Sequence, residues 1–250
     1  MGNGATWEAE SASREAWDGT WQPRLDGEQL DFTSVSLENH IDAQKLRFLR
    51  ADLPTVGRAV EVGCGSARLL ARVGLNSKLD LVGVDSSENA LRLTAATAQR
   101  FGLPIRGVCG DARALPLETA SCDLVLSGGL LEHFEDPTVV LSEMLRVLRP
   151  GALFYADVVP RKFSLYRLKD LRRMTRSPWM LPGVYESAFG ASWYERTMKA
   201  LGYQEIRIES AGVYPRGGAL RWATRTKSWD GTFLARVFGW YFMISARKPS

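Results

Sequence analysis

The chain has 250 residues, with 32 Lys and Arg against 28 Asp and Glu, and 45% of its residues are hydrophobic. This composition excludes a disordered polymer, which would be poorer in apolar residues and richer in one sign of charge. The longest apolar run, 237–246, is shorter than the roughly 20 residues that a membrane-spanning helix needs. No apolar stretch follows a basic start near the N-terminus, and the three cysteines lack paired spacing. We therefore expect one large domain in the cytoplasm.

An acidic N-terminal part precedes a region of alternating patterns. Its clearest helix runs from about residue 37 to residue 50, with Pro54 behind it. From Arg58 to Asp157, short apolar runs alternate with longer helical patterns, which predicts a parallel sheet covered by helices. The apolar runs predict strands at 59–62, 79–85, 105–109, 122–127 and 152–158.

The last helix of this region has a clear beginning and end in the sequence. Asp136 is a cap residue and Pro137 suits the first helical position. We expect the helix to end at Arg149-Pro150-Gly151, because proline cannot continue a helix and glycine tolerates the reversal.

Beyond residue 158 the regular pattern weakens. Residues 159–190 contain several prolines and glycines and a basic cluster, which indicates an insertion. A helix at 192–201 then leads to strands at 205–213 and 237–246, and these two strands complete a seven-stranded α/β sheet.

A glycine-rich turn, Glu61-Val62-Gly63-Cys64-Gly65, lies between the first strand and a helix. Such a turn lets the backbone approach a ligand closely, although a tight connection would need the same residues. A dinucleotide fingerprint requires glycine at its first, third and sixth positions, and Arg68 occupies the sixth. Binding of NAD is therefore disfavoured.

Acidic residues stand at the ends of three successive strands: Glu61, Asp85 and Asp111. Glu61 places a carboxylate beneath the glycine turn, where it suits a positively charged group. Asp85 can accept hydrogen bonds from both hydroxyls of a ribose, and Asp111 can accept one from an exocyclic amine. Any one of them alone would more often be a cap or a turn residue. The three together, at successive strand ends, indicate a ligand-binding site.

The region from Arg58 to Asp157 resembles the class I S-adenosylmethionine-dependent methyltransferases, particularly the small-molecule branch of ubiquinone and menaquinone biosynthesis. The resemblance rests on the following segments: Glu61-Val62-Gly63-Cys64-Gly65, Val84-Asp85-Ser86, Gly110-Asp111-Ala112, Cys122-Asp123-Leu124-Val125, Leu131-Glu132-His133 with Asp136-Pro137, and 145–151. Together they are highly specific.

The resemblance implies the fold and its division. We expect a three-layer, Rossmann-like, mostly parallel sheet of seven strands with an antiparallel last strand. Residues 1–57 would form an N-terminal lid, and residues 58–250 the methyltransferase domain. Within that domain the cofactor-binding core would span 58–158, with substrate-side insertions at about 159–190 and 214–236.

It also implies a cofactor, S-adenosylmethionine, with S-adenosylhomocysteine as the product. Gly63, Cys64 and Gly65 would hold its methionine part, and Glu61 would support the ammonium through water. Asp85 and Ser86 would bind the ribose, and Asp111 and Ala112 the adenine. Backbone at Ser127 and Gly128 would receive the methionine amine. Cys64 then needs no redox role, and Cys109 and Cys122 are expected to be buried apolar side chains.

His133 is the candidate catalytic base, because it follows the fourth strand at the edge where doubly wound folds bind ligands. A histidine that only closes the turn or contacts the cofactor is the competing interpretation. Some ubiquinone-pathway relatives carry a metal-binding glutamate three residues before the Glu-His pair, and that position is Gly129 here. We therefore expect no metal.

All eight tryptophans lie outside the region from Arg58 to Asp157. In the family that the chain resembles, the parts outside this core generally build the acceptor pocket. Trp193 and Trp240 are expected to be packing residues, whereas Trp179, Trp222 and Trp229 are candidates for the pocket. We predict a small apolar or aromatic metabolite as the acceptor, methylated on oxygen, nitrogen or carbon.

The segment Arg161–Arg176 carries seven basic residues and only Asp170 as an acidic one. Its partly helical apolar spacing fits an amphipathic helix that covers the site, touches a membrane surface or binds an acidic carrier, and it equally fits a solvated face. A negatively charged acceptor is compatible with it. The alternatives are an RNA or protein methyltransferase, with nucleic acid disfavoured, and a non-catalytic cofactor-binding partner subunit. We expect a monomer or a homodimer.

Overall fold

The computed structural model describes residues 15–24, 30–171, 179–181, 184–216 and 219–250. A seven-stranded sheet organises the chain. Its strands are β1 (Val56–Val62), β2 (Lys78–Asp85), β3 (Ile105–Cys109), β4 (Cys122–Gly128), β5 (Leu148–Val158), β8 (Gln204–Ala211) and β9 (Tyr241–Arg247). Their order in the sheet is β3-β2-β1-β4-β5-β9-β8. A separate two-stranded sheet pairs β6 (Trp179–Leu181) with β7 (Val184–Tyr185).

Helices lie on both faces of the large sheet. They are α1 (15–24), α2 (Leu37–Leu49), α3 (Arg68–Gly74), α4 (Glu88–Phe101), α5 (Pro137–Val147), α6 (Ala191–Leu201), α7 (Ala219–Thr226) and α8 (Phe233–Phe238). Local sequence explains several of their boundaries. The Ser87 side chain accepts a hydrogen bond from the Ala90 amide at the start of α4, and Asp136 does the same for Thr138 at the start of α5.

The strand directions confirm the predicted fold class. β1 pairs in parallel with β2 and β4, and β3 and β5 extend the parallel set on either side. β9 runs antiparallel to both β5 and β8. Two buried apolar clusters cover the opposite faces of the sheet, one centred on Val125 and Phe154 and the other on Leu124 and Tyr155. The carboxyl ends of the five parallel strands therefore meet at one edge.

Two predicted boundaries are wrong. Residues 237 and 238 belong to α8, and the last strand begins only at Tyr241. Thr232 caps this short helix by accepting from the Ala235 amide, so an apolar run that looked like one strand is divided between a helix and a strand. Pro150 and Gly151 also do not end α5, since β5 already begins at Leu148, which pairs with Cys122.

The predicted amphipathic helix at 161–176 is absent from residues 161–167. A single turn of 3-10 helix, Leu168–Asp170, is followed by Leu171 in α-helical conformation, and residues 172–178 are outside the described range. Arg167 is buried and its Nη1 lies 2.5 Å from Glu186 Oε2. Such an inward ion pair fixes the backbone as a packed loop.

Among the described helices, none combines the length and the apolar character that crossing a bilayer requires.

Candidate active site

The glycine turn follows β1 at the carboxyl edge of the sheet. Gly63 and Gly65 adopt φ values of +67° and +52°, which glycine reaches more readily than other residues. A Cβ on Gly63 would stand 2.8 Å from a methyl carbon of Leu130, so a side chain has no room there. The turn thus presents bare backbone at the end of the central strand.

Asp85 ends β2 beside this turn. Its carboxylate accepts hydrogen bonds from the amides of Gly65 and Ser87, both at 2.9 Å. Burial raises the pKa of Asp85, and these amides partly oppose that shift. Ser86 follows it and is partly exposed. Asp85 therefore holds the glycine turn against the end of the neighbouring strand.

Glu61 lies beneath the turn and is 5% exposed. Its Oε2 accepts a hydrogen bond from the Leu70 amide in the first turn of α3, at 3.1 Å. Burial raises the pKa of Glu61 to about 8, even though that amide and Lys45 both favour the ionised form.

The three cysteines differ in burial, and one of them departs from the prediction. Cys64 is buried in the turn with its Sγ 3.3 Å from the Thr94 hydroxyl, and burial raises the pKa of its thiol. Cys122 is buried as predicted, whereas Cys109 is exposed. The prediction for Cys109 is wrong because it sits at the end of β3, the outer strand of the sheet.

Asp111 and Ala112 follow β3 at the same edge. Asp111 forms an ion pair with Arg113, with 2.6 Å between Oδ2 and Nη2, and the side chains of both are more than 40% exposed. Ala112 packs, partly buried, against the apolar cluster on one face of the sheet. The two residues extend the line of strand ends begun by Glu61 and Asp85.

Ser127 and Gly128 end β4. The Ser127 Oγ is buried without a hydrogen-bond partner among the described residues. A Cβ on Gly128 would lie 3.2 Å from Asp157 Oδ1 and 3.6 Å from Lys45 Nζ. Lys45 and Asp157 form an ion pair at 2.8 Å with side chains only 14% and 6% exposed. Sequence reasoning missed this pair, because the two residues are far apart in the chain and belong to no shared motif.

His133 lies in a turn of 3-10 helix, Leu131–His133, directly after β4. Its Nδ1 is 2.7 Å from the Tyr185 carbonyl oxygen. Since a carbonyl oxygen can only accept, Nδ1 carries the hydrogen and the neutral ring keeps its lone pair on Nε2. The indole of Trp17 meets the imidazole edge to face, with 4.8 Å between ring centroids.

Helix α1 contacts the site at three points that the sequence did not predict individually. Trp17 lies on His133, and the Trp21 ring comes so close to Gly65 that a Cβ there would be 2.7 Å from it. The Ser87 hydroxyl donates to Asp18 of the same helix. The periodic spacing of residues 17, 18 and 21 is the one local signal for this face.

Of the three tryptophans predicted to line a pocket, two are partly exposed: Trp222 is 41% exposed and Trp229 38%. The side chain of Trp179 is outside the described part. Trp193 stacks on Phe189 and Trp240 on Tyr166, each with 4.1 Å between ring centroids. These two are packing residues, as predicted.

Metal-binding side chains do not gather in the described ranges: no group of three His, Cys, Asp or Glu residues there could hold an ion.

Comparison with known proteins identifies the domain. A family model for a methyltransferase domain matches residues 60–156. The tRNA (carboxymethyluridine(34)-5-O)-methyltransferase of Macaca fascicularis is 33% identical over 133 residues, 51% of this chain and 18% of that protein. The ubiquinone biosynthesis O-methyltransferase of Ralstonia nicotianae is 29% identical over 136 residues, 52% of this chain and 55% of that protein. The chain thus matches about half of the ubiquinone enzyme and a much smaller share of the tRNA enzyme.

A solved structure supports the same fold. The S-adenosylmethionine-dependent methyltransferase of Mesorhizobium loti superposes with a TM-score of 0.60 at 21% identity, covering 85% of this chain and all of that one. The glycine turn and the acidic strand ends Glu61, Asp85 and Asp111 lie within the matched residues 60–156. Residues 60–156 therefore match a methyltransferase domain, and the chain has the fold of S-adenosylmethionine-dependent methyltransferases.

Proposed function

We propose that this protein transfers the methyl group of S-adenosylmethionine to oxygen, nitrogen or carbon of a small apolar or aromatic metabolite. The observation that carries the proposal is the position of His133. It follows β4 at the carboxyl edge of the sheet, and the hydrogen bond at Nδ1 leaves Nε2 as the acceptor of the neutral ring. A proton-accepting nitrogen at the cofactor edge is what methylation of a hydroxyl or an ammonium requires.

The residues at this edge fit the cofactor. Gly63 and Gly65 would hold the methionine part with bare backbone at the turn, where the Trp21 ring lies against Gly65 in this structure. Asp85 offers carboxylate oxygens for the ribose hydroxyls, and Asp111 with Ala112 would meet the adenine. The buried, unpartnered Ser127 hydroxyl supports a polar ligand group at the end of β4.

The chemistry needs little from the protein beyond position and one proton transfer. S-adenosylmethionine supplies a methyl group already activated by its sulfonium. Holding an acceptor in line with that carbon therefore provides much of the rate. His133 Nε2 takes the proton that the acceptor loses, while the Tyr185 carbonyl fixes the ring through Nδ1.

Aromatic surroundings support an apolar acceptor. Trp17 covers one side of His133, and Phe134 lies next to it, partly buried against the sheet. An aromatic side chain gives a large contact area at a low cost in conformational entropy.

We propose the cytoplasm as the location, because the three cysteines lack the paired spacing of a disulfide framework.

The local identity of 33% to a tRNA methyltransferase favours RNA as a second candidate acceptor. An RNA acceptor would bind with a steep salt dependence, because phosphate contacts release counterions. Incubating the protein with methyl-labelled S-adenosylmethionine and either metabolite extract or total tRNA separates the two. Label in an organic-soluble product would support a small-molecule acceptor. Label found only in tRNA would contradict the small-molecule acceptor and identify RNA as the acceptor.

Two measurements on the wild type and on a His133→Ala variant complete the test: calorimetry with S-adenosylhomocysteine and the rate of methyl transfer. We expect the wild type and the variant to bind this product alike, and the variant to lose roughly 100-fold in kcat, as removal of a general base does. Unchanged turnover would remove His133 from the reaction. Binding without transfer to any acceptor would leave a non-catalytic subunit, and absence of binding would contradict the proposal altogether.

A further inference from the structure

Large exposed apolar side chains are concentrated on one part of the surface. Among the described residues, Val35, Val56, Leu75 and Val139 are exposed singly on other elements. The other eight belong to the loop 161–171 and to the segment 219–238. Single exposed apolar residues are ordinary, whereas a cluster of them marks a contact surface.

The two segments form one structural unit. The Leu165 amide donates to the Phe238 carbonyl at 3.1 Å, and Lys162 Nζ donates to the Arg236 carbonyl at 2.8 Å. Arg216 and Asp170 form an ion pair at 2.7 Å. These bonds hold the loop against α8, and Tyr166 of the loop packs against the apolar cluster that contains Ala223 of α7. The exposed side chains of the loop and of the two helices are therefore neighbours on the surface.

Helix α8 presents the most apolar part of this surface. Phe233 is 76% exposed, Leu234 42% and Val237 38%, whereas Ala235 of the same helix is buried. Positions i, i+1 and i+4 lie on one side of a helix, so these three side chains point the same way. The Thr232 cap and the buried Ala235 already anchor the helix. On its other side Phe233 is mostly exposed, and Leu234 and Val237 each leave more than a third of their surface open to solvent.

Basic residues surround the apolar side chains. Arg221, Arg225 and Arg236 are exposed on α7 and α8, and Lys169 is exposed on the loop. The nearby acidic Asp230 faces inward, where its Oδ2 accepts from Gln44 at 2.7 Å. The outer face therefore combines positive charge with aliphatic and aromatic groups.

This combination complements an anionic bilayer more fully than it complements RNA. Lys and Arg attract anionic headgroups, and Phe, Trp and Leu side chains enter the boundary between headgroups and acyl chains. RNA would neutralise the charges, but its bases stack on aromatic and guanidinium planes and would leave Leu234 and Val237 without partners. We propose that the surface formed by α7, α8 and the loop 161–171 binds an anionic lipid bilayer, with Phe233, Leu234 and Val237 inserted at the headgroup boundary.

Vesicle co-sedimentation of the full chain tests this proposal. We expect binding to vesicles that contain phosphatidylglycerol and much weaker binding to pure phosphatidylcholine. The triple variant Phe233→Ser, Leu234→Ser, Val237→Ser should bind the anionic vesicles at least about tenfold more weakly, because the apolar insertion is lost. The double variant Arg221→Glu, Arg225→Glu should lose about as much through charge.

Matched controls make the same changes on other surfaces. A variant with Val56→Ser, Leu75→Ser and Val139→Ser replaces exposed apolar groups elsewhere, and it should bind vesicles as the wild type does. A double variant with Arg92→Glu and Lys199→Glu removes exposed charges from α4 and α6 and should lose much less affinity than the matching change on α7. Thermal melts establish that every variant is folded.

Three results would overturn the proposal. The first is the absence of any preference for anionic vesicles. The second is an equal loss of vesicle affinity in the surface variants and in the control variants. The third is a triple variant that keeps its vesicle binding but loses binding to tRNA or no longer forms a dimer. Calorimetry with S-adenosylhomocysteine runs beside these assays. Failure on vesicles with intact cofactor binding would refute the lipid surface and leave the proposed function untouched.

Discussion

Lys45 and Asp157 place a buried ion pair at the end of β4. Lys45 comes from α2 and Asp157 from β5, and their side chains meet beside Gly128 at 2.8 Å. The Tyr155 hydroxyl lies 3.3 Å from the same Asp157 oxygen and donates to it. The carboxylate is thus satisfied from two sides, which offsets part of the cost of removing it from water.

Replacing Lys45 with Met should destabilise the protein by about 3 kcal/mol, because the Asp157 charge would remain buried without its partner. Urea unfolding measures this change. Adding Asp157→Asn to Lys45→Met should recover part of the loss, since the amide can still accept from Tyr155 and carries no charge. Simple additivity of the two substitutions would contradict a direct coupling.

Glu61 should make stability depend on pH. An unfolded glutamate loses its proton near pH 4.5, whereas the folded-state pKa is raised to about 8 by burial. Between these values the folded state holds the extra proton, so the stabilisation is full at low pH and is lost as the pH rises through the folded pKa.

The Glu61→Gln variant cannot lose a proton and isolates this effect. Relative to it, the wild type should become less stable as the pH rises from about 5 to about 8.5. Urea midpoints of both proteins across that range provide the measurement. Parallel curves for the two proteins would show that Glu61 is not the group responsible.

At the scale of elements, α1 is attached to the domain by few side chains. Trp17, Asp18 and Trp21 contact His133, Ser87 and Gly65 respectively. The rest of the helix is largely exposed. An element with so few buried contacts can open without unfolding the domain.

Trp21→Ala should therefore speed amide hydrogen exchange in residues 15–24 by about tenfold while leaving Tm nearly unchanged. Exchange measured by mass spectrometry resolves that peptide. Trp229→Ala, which changes an exposed tryptophan on a distant segment, is the control and should leave exchange of α1 as it is. A large fall in Tm for Trp21→Ala would mean that α1 is integral to the core.

Across the whole molecule, side chains distant in sequence join α2 to the sheet and to the later segments. Asp42 accepts from Arg72 of α3 at 2.8 Å, Gln44 donates to Asp230 at 2.7 Å, and the Tyr241 hydroxyl donates to Gln44 at 2.8 Å. Together with the ion pair of Lys45, these contacts join α2 to α3, to the sheet and to the segment that holds Asp230. A ligand at the carboxyl edge of the sheet would therefore contact elements that are already joined to one another.

Saturating S-adenosylhomocysteine should consequently raise global stability. At a concentration of S-adenosylhomocysteine 100 times its Kd, the free energy of unfolding should rise by about 2.7 kcal/mol, provided that the unfolded chain does not bind this ligand. Urea titrations with and without the ligand check this value. Asp85→Asn should reduce the gain, and an unchanged midpoint in the wild type would contradict a binding site at this edge.

Local sequence determined the part of the molecule that alternates strand and helix. Runs such as 79–85 and 105–109 carry their own periodicity and end in turn or cap residues, so their order and the acidic residues at their ends were predictable. Prediction failed where the signal was not local. The apolar run at 237–246 contains a helix end, Gly239 and a strand, and only the Thr232 cap and the pairing of β9 with β5 separate them.

By itself, then, the sequence determined the α/β fold class, the cofactor family and the residues at each strand end, because these depend on patterns a few residues long. The tertiary structure alone decided that Lys45 faces Asp157, that Trp17 and Trp21 of α1 lie on the site, and that the loop 161–171 shares a surface with α8. Each of these is a contact between segments separated by tens to more than a hundred residues. Such contacts follow from the packing of whole elements, which no local periodicity encodes.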